Sequence, residues 1–216
     1  TEPAVRAGKI GITYGRYNDS PDRVGCPMKF FSAITDSGDE IEAGAMSYEP
    51  PASDIVVVID DTMIKGTEPW ANIGRLPING TIKENGILLV NSKRDIEYLL
   101  RFIPKIERKY TMATIDVVGV YKPFNSPRVD KSFAIPFLAA ISELASDLVP
   151  QDALIDAIRG EYGEEQEKLD TFEKAFKGVK SKVIPESPEG TVKVRELPMW
   201  YEMPIGAVKM GVPVGK

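Results

Sequence analysis

The stretch at residues 54–62 places the strongest constraint on the fold of this chain. Its centre, residues 55–59, is an unbroken run of Ile and Val, and carboxylates flank the run on both sides. Such a run is too short for a helix and lacks the polar alternation of a strand with one wet face. It therefore predicts a strand that is buried on both faces, as in parallel sheets covered by helices.

Two later apolar runs, at residues 86–91 and 113–120, repeat this pattern, so we predict an α/β core with three parallel strands. A run at residues 27–34 predicts a further strand, and residues 40–42, after a turn, predict its hairpin partner or an edge strand. Residues 1–25 show little hydrophobic periodicity. Apolar spacing predicts helices at residues 94–103, 136–149, 151–162 and 164–178.

From residue 182 onward the chain becomes rich in proline, yet it keeps large apolar residues such as Trp200 and Tyr201. This composition is too proline-rich for a core of its own and too apolar for a solvated linker. We therefore expect two parts: an α/β domain at residues 1–182 and an extended tail at residues 183–216 that lies along a partner.

Composition excludes several kinds of site. The chain has no histidine and a single cysteine, Cys26. A disulfide framework, a zinc site with the usual ligands, an iron–sulfur cluster held by this chain alone and a histidine-dependent nucleophile are therefore excluded. Neither GxGxxG nor GxxxxGK[ST] occurs, so nucleotide binding through either loop has no support.

The charge and hydropathy of the chain give no sign of nucleic acid or membrane partners. The net charge is -5, and no apolar run approaches the roughly 18 residues of a membrane span. We expect a reduced, cytoplasmic compartment.

Asp60 and Asp61 follow the first predicted core strand, at the sheet edge where open α/β proteins commonly bind ligands. Paired carboxylates there can hold Mg²⁺ or serve as acid and base. The alternative, which we favour, is that they cap the next turn and solvate the strand end. Asn91 follows the second core strand and is better interpreted as a cap residue, and Asn125 as a turn residue.

Four further side chains have a functional and a structural interpretation. Arg16 and Arg23 flank a loop rich in turn formers and can clamp a phosphate or carboxylate, or serve as solvated or interface charges. Cys26 can be a reactive thiolate near Arg23, but a packed small hydrophobe is favoured. Trp200 can stack on a cofactor, but an interface anchor is favoured.

The order of three segments resembles the gamma subunit, or gamma domain, of the 2-oxoacid:ferredoxin oxidoreductases. These segments are the loop at residues 17–28, the lead-in and strand at residues 48–62, and the strand at residues 82–92. The resemblance covers residues 5–180. It implies a mostly parallel, Rossmann-like sheet with flanking helices. Family members usually open with a strand and a GxGGQG turn, and this sequence begins after that point. We therefore expect that this first βα unit either lies outside this sequence or has been lost, so that the sheet lacks a strand or another segment supplies one.

The resemblance also implies a function. Thiamine diphosphate, Mg²⁺ and the [4Fe-4S] clusters are expected on partner subunits and none on this chain. The implied partners are the alpha, beta and ferredoxin-like delta subunits, with ferredoxin as electron acceptor. Pyruvate-type substrates and the oxalate branch of the family both remain open. The chain would be a subunit without cofactors of its own, contacting its partners through Arg16, Arg23, Asp60, Asp61 or Trp200.

Two other hypotheses stay open at this point. The chain can be a free-standing enzyme or small-molecule-binding domain that uses Asp60, Asp61 and Asn91, or it can be an assembly module with no ligand.

Overall fold

The computed structural model describes residues 1–16, 29–45, 50, 52–65, 78–121 and 131–187. The strands are β1 Ile10–Arg16, β2 Lys29–Thr35, β3 Ser53–Val58, β4 Ile82–Asn91, β5 Tyr110–Ile115 and β6 Lys180–Ile184. The helices are α1 Glu2–Arg6, α2 Gly38–Ala45, α3 Ile96–Leu99, α4 Val117–Val120, α5 Ile135–Leu144, α6 Gln151–Tyr162 and α7 Gln166–Gly178. Short 3₁₀ turns lie at Asp61–Lys65, Ile78–Thr81 and Lys131–Ala134.

The main sheet has four strands in the order β3-β4-β5-β6. β3 and β4 are parallel, with Val58 opposite Val90, and β4 and β5 are parallel, with Leu89 opposite Ala113. The predicted mostly parallel α/β sheet is therefore confirmed. β6 adds an antiparallel edge strand, with Thr114 opposite Lys180. This strand crosses the boundary that the sequence predicts between residues 182 and 183.

The expectation that the first core strand is buried on both faces is wrong. β3 lies at the edge of the sheet, and Val57 and Ile59 are 36% and 59% exposed, whereas Val58 is 2% exposed. Val57 lies opposite Leu89 and shares its face of the sheet. Leu89 belongs to the core under the helices, and no residue of β3 is in that cluster. Among the described residues, the helix layer therefore stops short of β3.

Each face of the sheet packs into its own core. On one face, α5, α6 and α7 cover β4 and β5, and Phe172 at the centre is 1% exposed. On the other face, α3 and the segment after it cover Leu88, Val90 and Met112. The alternation of Leu88, Leu89 and Val90 between the two cores follows from the two-residue period of a strand.

The third core strand is shorter than the sequence predicts. β5 ends at Ile115, and the rest of the apolar run forms α4. Asp116 caps this short helix, because its Oδ1 accepts a hydrogen bond from the Gly119 N–H at 2.9 Å. The sequence is apolar on both sides of Asp116 because β5 and α4 contribute to the same core, through Ile115 and Val117.

The helices α6 and α7 confirm two of the four predicted helices, and α5 confirms a third in position, although it ends at Leu144 and not at residue 149. Pro136 lies in the first turn of α5, where its missing N–H costs no hydrogen bond. The fourth prediction, at residues 94–103, is only partly correct, because α3 covers Ile96–Leu99 and turns follow it. No helix in the described part of the chain is long and apolar enough to cross a membrane.

The amino-terminal region contains a separate two-stranded antiparallel ribbon of β1 and β2, with Ile10 opposite Thr35. The predicted strand at residues 27–34 is confirmed as β2. The predicted strand at residues 40–42 is wrong, because these residues lie in α2, which packs against β2. The sequence gives no strong signal for β1, since glycines at positions 11 and 15 interrupt its apolar alternation. α1 packs against α6 and links the ribbon to the helix layer.

Candidate functional site

Polar side chains follow all three parallel strands at the carboxyl edge of the main sheet. Asp60 and Asp61 come after β3, Asn91 and Ser92 stand at the end of β4, and Asp116 comes after β5. Because the strands are parallel and adjacent, their ends meet at one edge. The structure therefore brings Asp60, Asp61 and Asn91 together, as the sequence predicts.

Asn91 joins the ends of the two neighbouring strands. Its Nδ2 donates a hydrogen bond to the Ile59 carbonyl oxygen at 2.9 Å, and its Oδ1 accepts one from the Val117 N–H at 3.0 Å. Both functional groups of this amide are thus used between the segment after β3 and the start of α4. This geometry supports the interpretation of Asn91 as a cap and connecting residue.

The two aspartates are also engaged by neighbouring groups. Ser92 Oγ donates to Asp61 Oδ2 at 2.5 Å and accepts from the Arg94 N–H at 3.0 Å. Asp60 Oδ1 accepts from the Thr62 N–H at 2.9 Å, in the pattern of an Asx turn. Because both carboxylates bond to this local backbone and hydroxyl framework, the capping interpretation of the pair is supported over a metal or acid–base role.

Basic residues at the same edge lie over an aromatic ring. The Arg94 guanidinium carbon lies 5.0 Å from the centroid of the Tyr98 ring, and that of Arg101 lies 5.8 Å from it. Both arginines flank α3, and these cation–π contacts hold them against Tyr98 on that helix. Within the described ranges, no group of three or more His, Cys, Asp or Glu side chains is arranged to hold a metal ion.

The other residues singled out from the sequence are not part of this edge. Arg16 is the last residue of β1, opposite Lys29 in the ribbon, and so belongs to a different sheet from Asp60 and Asp61. Arg23, Cys26, Asn125, Trp200 and Tyr201 lie outside the described residues.

Two polar groupings leave no signal in the sequence. One is Ser92, whose contact with Asp61 depends on the register of β3 against β4. The other joins α7 to the end of α4: Lys168 Nζ donates to Ser132 Oγ at 3.2 Å, and Ser132 Oγ lies 2.5 Å from the Tyr121 hydroxyl oxygen. Ser132 is fully buried, so this second group holds the helix layer in place and is closed to substrate.

A shallow groove of about 560 Å³ runs between α6 and α7. The apolar residues that line it include Ile155, Leu169 and Phe176. The cations on its rim have carboxylate partners on the same helical hairpin: Arg159 lies 3.6 Å from Glu164, and Lys177 lies 3.2 Å from Glu173. The groove therefore presents no concentrated charge to a ligand.

No family model matches the chain. The pyruvate synthase subunit PorC of Thermotoga maritima is 27% identical over 178 residues, which cover 82% of this chain and 80% of that protein. The crystal structure of the pyruvate oxidoreductase subunit PORC of Thermotoga maritima matches with a TM-score of 0.57 and 21% identity. This match covers 84% of this chain and 86% of that one.

The structural match shows a shared fold, and the sequence match covers a similar share of the chain. The resemblance predicted from the sequence is therefore confirmed as a similarity: the chain is similar in sequence to a pyruvate synthase subunit PorC and has the fold of a PORC structure.

Proposed function

We propose that this chain is a subunit, without cofactors of its own, of a 2-oxoacid:ferredoxin oxidoreductase that carries out oxidative decarboxylation. The observation that supports this most is its sequence similarity to a pyruvate synthase subunit over about four-fifths of both chains. In the proposed complex, alpha, beta and delta subunits hold thiamine diphosphate, Mg²⁺ and the [4Fe-4S] clusters. These groups supply the decarboxylation and electron-transfer chemistry, and ferredoxin accepts the electrons.

The residues of this chain fit a supporting role. The strand-end side chains that would serve a reaction in an independent α/β enzyme are bonded to their own framework, through Asn91 to Ile59 and Val117 and through Ser92 to Asp61. The sequence has no histidine, the side chain most often used for proton transfer, and its single cysteine cannot hold an iron–sulfur cluster alone. No described contact favours the alternative of a free-standing binding domain built on Asp60 and Asp61.

Affinity purification of this chain, tagged and expressed together with the reading frames adjacent to its gene, tests the proposal. We expect larger chains to co-purify, with the brown colour and broad absorbance of iron–sulfur proteins. The purified complex should reduce a viologen dye in the presence of a 2-oxoacid. A panel of pyruvate, 2-oxoglutarate and oxalate, each with and without coenzyme A, then identifies the substrate. A stable monomer that binds a small ligand and recruits no other chain would contradict the proposal.

The contacts proposed from the resemblance remain predictions. We propose that Arg16, Arg23 and Trp200 contact partner subunits, and that residues 183–216 contribute to the same assembly. Alanine substitution at each position should weaken co-purification while leaving the thermal unfolding of the isolated chain unchanged. Equal recovery of partners with all three variants would exclude these residues as important contacts.

A further inference from the structure

The outer edge of β3 has no strand beside it among the described residues. β3 pairs on one side with β4, and the sheet order places nothing beyond it. A strand in this position directs every second pair of backbone N–H and C=O groups away from the sheet. Such an edge has the hydrogen-bonding geometry to accept another polypeptide in an extended conformation, a recognised mode of protein recognition.

The two edges of the sheet differ in their protection against such pairing. At the opposite edge, β6 carries Lys180 and Lys182, and Lys182 Nζ contacts Glu97 Oε1 at 2.5 Å. Charged side chains, lysine above all, are the usual means by which an edge strand resists pairing. β3 has a single charged residue, Asp54, at its start, where Lys83 on β4 pairs with it at 2.8 Å. After Asp54, β3 is a run of β-branched residues without a charged side chain.

The sheet face beside this edge is also incompletely covered. Val57 and Ile59 project on the side of the helix layer and are 36% and 59% exposed. Their neighbour on that face, Leu89, is fully buried. An added strand would continue the sheet, and its own apolar side chains would cover Val57 and Ile59. A segment that pairs with the outer edge of β3 must be extended. To cover Val57 and Ile59, it must also be apolar on the side of the helix layer.

We infer that β3 is the docking edge for a strand of a partner subunit, one with apolar residues at its centre and a basic residue near Asp60. This inference rests on the proposed function, since that supplies the partner. Carboxylates flank the apolar run of β3 at both ends, as Asp54 and Asp60. Asp54 is already paired with Lys83, so a basic residue of the incoming strand would complement β3 mainly at the end with Asp60.

The same charges argue against a second copy of this chain. Two β3 strands paired antiparallel around a twofold axis at Val57 would bring Asp54 of each opposite Asp60 of the other. Like charges placed directly opposite each other destabilise a strand pair. A register that avoids this contact shortens the apolar overlap, so the strand of a different chain fits better.

Two substitutions with similar chemistry test the docking edge. Val57→Lys adds a charge on the exposed part of β3, and Val183→Lys adds the same charge at a 54% exposed position on β6. We expect Val57→Lys to weaken binding to the partner subunits at least about tenfold, and Val183→Lys to change it less than about twofold. Ile59→Lys should act as Val57→Lys does. Circular dichroism melts of each isolated variant verify folding, and a variant that fails to fold is replaced by Ile59→Lys.

Hydrogen exchange of the amides at residues 53–59, measured in the isolated chain and in the purified complex, provides the second readout. The β3 amides that bond to β4 should be protected in both samples, and we expect the outward-facing amides to become protected only in the complex. Full assembly of both lysine variants at β3, or unchanged exchange in the complex, would overturn the inference while leaving the proposed function intact. A homodimer that protects these amides would overturn it too. Failure of the unmodified chain to assemble with any partner would instead refute the proposed function, and this docking edge with it.

Discussion

The role of Asn91 as a connection between strand ends makes a quantitative prediction. Replacing it with alanine removes the 2.9 Å hydrogen bond to the Ile59 carbonyl and the 3.0 Å hydrogen bond from the Val117 N–H. Each hydrogen bond contributes about 1 kcal/mol net, and a donor left unsatisfied beside a core costs more. Val117 is fully buried, whereas Ile59 is exposed and its carbonyl is easier for water to reach. We therefore expect Asn91→Ala to lower the free energy of unfolding by about 2 to 3 kcal/mol.

Urea unfolding followed by circular dichroism measures this loss. With a slope of about 2 kcal/mol per molar urea, the midpoint should fall by about 1 to 1.5 M. Asn91→Asp keeps the acceptor for Val117 but loses the donor to Ile59, so it should cost about half as much or more. Thr62→Ala at an exposed neighbouring position serves as the control and should change the stability by less than about 0.5 kcal/mol. If Asn91→Ala matches that control, the connecting role is refuted and the amide is available for a ligand.

Three further predictions concern the same sheet. Ser92→Ala should lower the free energy of unfolding by about 1 to 3 kcal/mol in urea titrations, because it leaves Asp61 and the Arg94 N–H without their shared partner; an unchanged midpoint would contradict this. Gly86→Ala should cost about 1 to 3 kcal/mol in the same assay, since the added Cβ would lie 2.8 Å from the Asp54 carbonyl oxygen, whereas Gly178→Ala, with open space around it, should not destabilise. Burial raises the pKa of the Tyr110 phenol, and the neighbouring Asn79 opposes this shift. Below about pH 10 the phenol is neutral in both the folded and the unfolded chain, so stability should fall as pH rises above that value and the unfolded chain ionises more readily; Tyr110→Phe should show a shallower decline, and identical pH profiles would refute the assignment.

The central sheet could be predicted from sequence because burial leaves a strong signal. The apolar runs at β4 and at the start of β5 reflect strands that are covered on both faces, and prolines at 136 and 150 mark the starts of α5 and α6. The run at β3 has the same composition, yet its partners cover mainly one face. Composition indicates that a strand forms, but its exposure depends on neighbours that are distant in sequence.

β6 shows the reverse case. Lys180–Ile184 carries little strand signal of its own, and its conformation depends on pairing with β5. Tertiary context of this kind commonly overrides local propensity. The ribbon strand β1 was obscured for a related reason, since its glycines lower the intrinsic preference for a strand while the partner β2 supplies the hydrogen bonds.

The candidate site was predictable in its position but not in its bonding. Parallel topology alone places Asp60, Asp61 and Asn91 at one sheet edge. The contact between Ser92 and Asp61 also requires that Val58 lie opposite Val90, a register that no local pattern encodes. The same detail decides between a ligand site and a cap, so the chemistry of the edge could not be assigned before its hydrogen bonds were known.

The pairing of β5 with β6 closes a large loop of chain. The segment between Ile115 and Lys180 leaves the sheet at one strand and returns to the strand directly beside it, and it includes all of α5, α6 and α7. The helix layer is thus anchored to the sheet at both ends as well as through its core. It cannot separate from the sheet as a unit unless the β5–β6 hydrogen bonds or the ends of the layer also open. Opening of the layer and loss of the edge strand are therefore coupled, so the helices and β6 behave as one cooperative unit.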